Sequence, residues 1–351
     1  AVGGADSIET LPYDALWRTP DEFSRRVARN TQVVLREEAG LGRVCDPAGG
    51  SYYAEWLTDQ VACHAWALFG EIERAGGMAA ALAAGLPQGR IAATAAARRA
   101  ALGARKAVLV GTNQYADADE RISERRQRGG LSRAANCGNG ASATGPAARE
   151  GLARLAGLAG EAGVAVVEAA VQAAAAGATL GEISAENAEG ERPAVEPIPA
   201  ERLAEPYERL RLRAETHAAE TGAPPTVFLA NIGPLGEHKA RADFAAAFFQ
   251  PGGFQVISGP GAGSPAAAAE AAAGSGAGIA VLCSTDDNYP RLVGPFCARL
   301  RELRPEIVAV LAGYPKDQVE AHRQAGIDEF IHLRADNLEL LERLFERMGV
   351  A

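Results

Sequence analysis

From residue 221 onward, short apolar runs alternate with helix-period segments, and this alternation limits the possible folds more than any other feature. The runs are Val227–Ala230, Phe254–Ile257, Ile279–Cys283, Ile307–Leu311 and Glu329–Ile331. Helical patterns follow them at Glu237–Phe249, Pro265–Ala273, Val293–Leu303, Val319–Ala325 and Asn337–Met348. Continuous apolar runs mark strands buried on both faces, and strand–helix alternation builds a parallel sheet. The expected class is therefore α/β, with a doubly wound sheet over 221–351. Ligands of such sheets sit outside the carboxyl ends of the strands. That singles out Asn231–Ala240, Ser258–Ser264, Ser284–Tyr289 and Ala312–Lys316.

The preceding 220 residues have two other textures. Over 1–118, long amphipathic patterns are broken by Gly and Pro: a helix from Pro20 to Ala39, the turn cluster Asp46–Ser51, and helices at Ala54–Ala75 and Pro87–Leu102. Ala107–Val110 reads as a short buried strand. Such a piece has no complete sheet and must pack on something else. Residues 119–220 read as an interdomain connector. It holds the charged Arg121–Gly130, the small polar Asn136–Gly145, prolines at 193, 197, 199 and 206, and helical stretches near 148–177 and 200–220.

Charge and cysteine usage exclude several functions. Forty-four acidic against 35 basic residues give a net charge of −9, the wrong sign for a general nucleic-acid binder. The five cysteines (Cys45, Cys63, Cys137, Cys283, Cys297) are scattered, with no CxxC pair, so neither a disulfide framework nor a zinc site is expected. A reducing cytoplasm is the natural setting. The first residues lack a secretory signal, and Glu168, Gln172 and Gly177 break the alanine-rich 161–180, so no membrane segment is expected. The chain opens mid-pattern without methionine, as a fragment would.

Arg26-Val-Ala-Arg-Asn-Thr-Gln32, Arg36-Glu-Glu38 and Asp46-Pro-Ala-Gly-Gly-Ser-Tyr-Tyr53 occur in that order. Gly76-Gly-Met78 and Val110-Gly-Thr-Asn-Gln-Tyr115 follow. This succession resembles the adenosylcobalamin-dependent methylmalonyl-CoA mutase family. The resemblance implies that 1–118 is the C-terminal part of a (β/α)8 barrel enclosing an acyl-CoA thioester. It also implies that 221–351 is a flavodoxin-like, cobalamin-binding-type domain. The family reaction interconverts (R)-methylmalonyl-CoA and succinyl-CoA by a radical rearrangement on adenosylcobalamin.

The resemblance also brings departures. Catalytic members carry Asp-x-His-x-x-Gly after the first strand of the cobalamin domain, and its histidine ligates cobalt from below. Here Leu235, Glu237 and Ala240 stand at those three positions. Leucine has no hydrogen-bonding group to tune an imidazole, and glutamate is a poor substitute for the ligand. His238 is one residue away, which makes it a polar residue in the first turn of a helix unless a local shift turns it into a cobalt ligand. Ser284, Thr285 and Gly313 are the neighbours of this degenerate loop. Near the start, Leu11 and Ala15 replace an asparagine and a glutamate that stand near the adenosyl group in catalytic members, and neither can bond a ribose.

The pattern therefore resembles the small, non-catalytic subunit of a heterodimeric mutase. No catalytic residue and no resident metal is assigned. Adenosylcobalamin and the acyl-CoA belong to the complex, and the implied partner is the catalytic large subunit. Two alternatives are a mutase active in its own right, with Glu237 or His238 below the cobalt, and a scaffold or sensor that kept the fold without the reaction.

Weaker signals have plainer readings. Gly259–Ser264 lacks the Lys-Ser/Thr of a phosphate loop and follows the second strand, so it reads as structural. Asp286 and Asp287 have no acidic pair after the first strand, as a phospho-receiver would. Glu37 and Glu38 point in different directions on a helix and read as solvated or paired with Arg36 and Arg29. His64, Tyr52 and Tyr53 read as packing residues.

Overall fold

The computed structural model describes residues 2–16, 19–122, 145–158, 163–186, 195–199 and 201–350. Cys137, Pro193 and most of the Arg121–Gly130 and Asn136–Gly145 stretches lie outside the described residues. The chain forms two compact units. One comprises Ala1–Gln88 with Gly129–Pro197, and the other Gly89–Arg128 with Ile198–Ala351.

The first unit is helical. Helix α1 (Glu22–Glu37) starts where Asp21 Oδ1 accepts from the Ser24 amide at 2.8 Å, because a first-turn N–H lacks a helical partner. The turn cluster at Asp46–Ser51 leads into α2 (Tyr52–Arg74), capped by Ser51 and by a Gly50 amide that donates to Glu55 Oε1 at 2.8 Å. Short α3 (Met78–Ala83) precedes α4 (Leu86–Gly103), which from Gly89 onward belongs to the second unit. The expected stretch 148–177 is two helices, α5 (Pro146–Ala156) and α6 (Val164–Ala175), followed by α7 (Leu180–Glu186). Gly151 lets α5 lie against Ala173, since a Cβ there would come within 2.8 Å of the Ala173 Cα.

No residue of α2 is buried. Tyr52 is 92% exposed and Trp66 74%, so Tyr52 and Tyr53 are not packed as expected. Apolar residues run all round this helix (Trp56, Leu57, Val61, Trp66, Leu68, Phe69), and helices of that kind are normally covered on more than one side. His64 is also exposed, with Nδ1 donating to the Gln60 carbonyl at 2.7 Å.

The second unit is built on five parallel strands. Helix α8 (Glu205–Thr221) ends at Gly222 in the left-handed region. After it come β1 (Thr226–Asn231), α9 (Leu235–Phe249), β2 (Gln255–Ser258), α10 (Pro265–Gly274) and β3 (Ile279–Cys283). Next are α11 (Tyr289–Leu303), β4 (Val308–Ala312), α12 (Val319–Gln324), β5 (Glu329–Ile331) and α13 (Asn337–Arg347). The sheet order is β2-β1-β3-β4-β5. Register pairs Leu229 with Val281, and Val281 with Val310. These three therefore share a face, and their neighbours Phe228, Ala280 and Ala309 share the other. One face packs under α8, α9 and α13, with Phe248, Phe249 and Phe345 at its centre. The opposite face lies under α10 and α11, with Tyr289 and Phe296 fully buried. The two cores explain why β3 and β4 are apolar and buried throughout, whereas the edge strand β2 begins and ends on the exposed Gln255 and Ser258.

The expected strand at Ala107–Val110 does not form. Only an isolated bridge joins Val110 to Gln114, and Val110 is 77% exposed. The reason is Asn113, which is fully buried. Its Oδ1 accepts from the Leu109 amide at 2.8 Å, and its Nδ2 donates to the carbonyls of Ala107 at 2.8 Å and Leu102 at 3.1 Å. Main-chain groups that a strand would offer to a neighbour are held by a side chain instead.

Candidate functional site at the strand ends

Order β2-β1-β3 means that the chain leaves β1 toward one edge and then returns to the other side of β1. The switch point is therefore the crevice between the carboxyl ends of β1 and β3, where ligands of this kind of sheet bind. Its walls are the loop after β1, the first turn of α9 and the loop after β3.

Polar side chains bridge this crevice. Asn288 Nδ2 donates to Glu237 Oε2 at 2.6 Å and to Ser284 Oγ at 3.2 Å. Ser284 Oγ donates in turn to the Ile232 carbonyl at 3.3 Å. The Tyr289 hydroxyl accepts from the Ser284 amide at 3.2 Å and donates to the Ala312 carbonyl at 2.7 Å. Burial pushes the Tyr289 phenol well above its ordinary value, with the neighbouring Cys283 adding to the effect, so it stays a neutral donor. At the rim, both oxygens of Asp286 accept from Arg241 at 2.9 and 3.0 Å. Gly313 closes the floor, since a Cβ there would stand 3.0 Å from Asp286 Oδ1 and 3.3 Å from the Tyr289 ring.

The loop expected to be degenerate lies at the start of α9. Leu235 is 66% exposed, and Ala240 is also exposed. Glu237 is engaged with Asn288. His238 is 6% exposed, and its Nδ1 faces the Gly233 carbonyl at 3.0 Å, which can only accept, so Nδ1 is the donor of that bond. The glycine-rich loop covers it: a Cβ on Gly261 would sit 3.0 Å from His238 Cε1. That loop is tied to the one after β1 by the Ile232–Ala262 bridge, with Gly233 donating to Ala262 at 3.1 Å and Ala262 to Asn231 at 2.8 Å. Asn231 Nδ2 adds bonds to Ser258 Oγ and the Gly259 carbonyl, while its buried Oδ1 has no partner among the described residues. The structure thus brings Glu237 and Ser284 together, buries His238 beside them and leaves Leu235, Ala240 and Thr285 outside the network.

Sequence reasoning singles out the Ser284–Tyr289 loop without giving Asn288 a role, and it misses Arg241. Both contacts cross the sheet, over separations of 51 and 45 residues. The only local hint was the Asp-Asn-Tyr-Pro turn that opens α11.

In the first unit, the motif residues Arg29, Gln32 and Arg36 line a cavity of about 550 Å3 with Ile8, Glu9 and Thr10. Gln32 Nε2 donates to Thr10 Oγ1 at 2.8 Å and to the Ile8 carbonyl at 3.1 Å. Arg36 pairs with Glu37 at 2.7 Å. Among the described residues, no cluster of His, Cys, Asp or Glu is placed to hold a metal ion. No described helix is long and apolar enough to cross a membrane.

Fold and site together define an α/β chain with a parallel sheet that gathers its polar residues at the switch point. A methylmalonyl-CoA mutase family model matches residues 1–191. The chain belongs to the methylmalonyl-CoA mutase family. It is 36% identical over 350 residues to the methylmalonyl-CoA mutase small subunit of Streptomyces virginiae, covering 100% of this chain and 46% of that protein. The small subunit of Porphyromonas gingivalis is 28% identical, over 100% of this chain and 47% of that protein. A methylmalonyl-CoA mutase of Cereibacter sphaeroides is 49% identical over 120 residues, or 34% of this chain and 17% of the relative. The chain thus spans about half the length of the small subunits it matches.

Proposed function

We propose that this chain is part of the small, supporting subunit of a heterodimeric methylmalonyl-CoA mutase. In this reading, 1–118 is the C-terminal part of a (β/α)8 barrel, 119–220 a connector and 221–351 a flavodoxin-like domain of the cobalamin-binding type. The strand order 2-1-3-4-5 is that of flavodoxin-like sheets, which supports the last assignment. The complex interconverts (R)-methylmalonyl-CoA and succinyl-CoA in the cytoplasm, with adenosylcobalamin supplying the radical chemistry. The catalytic large subunit holds cofactor and acyl-CoA. This chain contributes fold and interface.

One observation carries the reading: the switch-point residues are engaged with one another. Glu237 is bonded to Asn288. His238 has its Nδ1 on a main-chain carbonyl and its ring beneath Gly261. Leu235 offers hydrocarbon to solvent. A cobalt ligand needs an accessible imidazole nitrogen; the Gly233 carbonyl on Nδ1 is the kind of partner that orients such a ligand, and it is the burial of the ring, 6% exposed, that closes it off. These residues do not fit a corrinoid bound through its lower face.

Adenosylcobalamin titration tests this, followed by absorbance and calorimetry on the chain alone and with a catalytic mutase chain. The expected result is no stoichiometric binding by the chain alone, and mutase activity only in the mixture. Stoichiometric binding by the chain alone, lost in His238→Ala, would overturn it.

A further inference from the structure

The stretch that follows α4 is held on the second unit by few groups. Between residues 104 and 122, only Asn113 and Ile122 are buried. The bonds of the Asn113 side chain all return to the stretch itself or to Leu102. The segment is attached to the sheet domain by a guanidinium at each end, with the buried Ile122 beside the second.

At the first end Arg105 has φ 55°, an uncommon backbone for a residue with a side chain. Its guanidinium lies 4.9 Å from the ring centroids of both Phe244 and Phe248 on α9 and donates to the His332 carbonyl at 3.3 Å. At the other end Arg211 of α8 is buried. It donates to the main-chain oxygens of Asp117 and Glu120 and to the Glu120 carboxylate at 3.3 Å. The Ile122 amide adds a bond to Glu215 Oε1 at 2.6 Å.

We propose that residues 104–122 form a strap that opens as a unit from the sheet domain, and that protonation of His332 beside the Arg105 latch loosens it. Segments with little buried apolar surface open below the global unfolding free energy, and this strap has the sparse burial that such opening requires.

His332 sits where opening is felt. Its ring lies 4.6 Å from that of Tyr314, on the loop after β4, and its Nδ1 accepts from the Arg334 amide at 3.2 Å. The charged and titratable groups around the latch come from every neighbouring element. They are Arg105 on the strap, Arg334 and Asp336 before α13, Tyr207 on α8, and Arg323 of α12 over Phe330. Burial, then the positive charges of Arg105 and Arg334, hold the His332 imidazole below its ordinary value. Opening rehydrates the ring and removes Arg105, so the open strap takes up a proton more readily. By linkage, closure has its full strength above the ordinary histidine value of about 6.5 and weakens as pH falls through the lowered one.

Hydrogen–deuterium exchange on the full chain, at about pH 7.5 and about pH 5.5 and normalised to intrinsic amide rates, tests the proposal. Peptides over 104–122 should lose severalfold more protection at the lower pH than those over β1, β3 and β4, which follow only the global stability. Arg105→Gln should open the strap at both values. His332→Gln should abolish the acid step, and Arg334→Gln should shrink it. Strap peptides that exchange in step with the sheet strands would overturn the proposal, as would an acid step that survives intact in His332→Gln. If Arg105→Gln also exposes the strands, the Arg334→Gln result decides: an unchanged step sinks the idea.

Discussion

Asn288 gives both of its amide hydrogens to partners inside its own domain, one to Glu237 and one to Ser284. Removing a donor from two part-buried acceptors costs about 1–3 kcal/mol. Asn288→Ala should therefore lower the urea midpoint of the sheet domain with the slope unchanged. A shift within error would mean that the acceptors are rehydrated freely. Gly261 answers a different constraint, with two heavy atoms 3.0 Å from where its Cβ would be, His238 Cε1 and the Gly233 oxygen. Gly261→Ala should cost about 1–3 kcal/mol by overpacking. In a His238→Ala background the cost should shrink, and an equal cost in both backgrounds would deny the contact. Thiol chemistry separates the cysteines. Burial pushes Cys297 up to about 12 and Cys283 higher still, whereas Cys45 and Cys63 are exposed. In the native protein a thiol reagent near neutral pH should label Cys45 and Cys63 and reach Cys283 and Cys297 only after denaturation.

Caps and periodicity set where elements begin and end. The sequence expectation placed the first helix at Pro20, and the structure begins it at Glu22 because Asp21, not Pro20, holds the Ser24 amide. Asp21→Ala should cost about 1 kcal/mol of helix stability, read as lost helicity by circular dichroism. All five strands fall within a residue or so of their apolar runs; β3 and β4, buried on both faces, are unbroken runs, while the edge strand β2 is only partly buried. Ala107–Val110 has the same composition and is not a strand. What differs is Asn113, whose side chain competes for the same main-chain groups. Periodicity does not register that competition.

For the whole molecule, the supporting-subunit reading makes the α2 surface an interface. Trp56 and Trp66 are both largely exposed on that helix. Adding a catalytic mutase chain should shift tryptophan emission to shorter wavelength and slow iodide quenching, and unchanged spectra in an active mixture would put the contact elsewhere. Acid should also weaken the sheet domain as a whole. Burial lowers His322, whose Nε2 meets Gln318 Oε1 at 3.2 Å, so its contribution is present above about pH 6.5 and lost as pH falls through the lowered value. Unfolding midpoints that stay constant from pH 7.5 down to 5.5 would contradict that sign, both values being about where the linkage acts.

Local physics made the strands and most helices legible, because apolar runs and capping act within a few residues, while the family resemblance came from short motifs such as Asp46–Tyr53. The resemblance implies that Leu235, Glu237 and Ala240 depart from the cobalt-binding pattern. Their fate was beyond it. The Glu237–Asn288 and Arg241–Asp286 pairs form because crossover connections bring the ends of β1 and β3 side by side, 51 and 45 residues apart in the chain. Residues 104–122 meet the sheet domain likewise through Arg105 and Arg211, whose partners lie far along the sequence. Periodicity records which face of an element is buried. Only the folded sheet decides which polar groups meet across it.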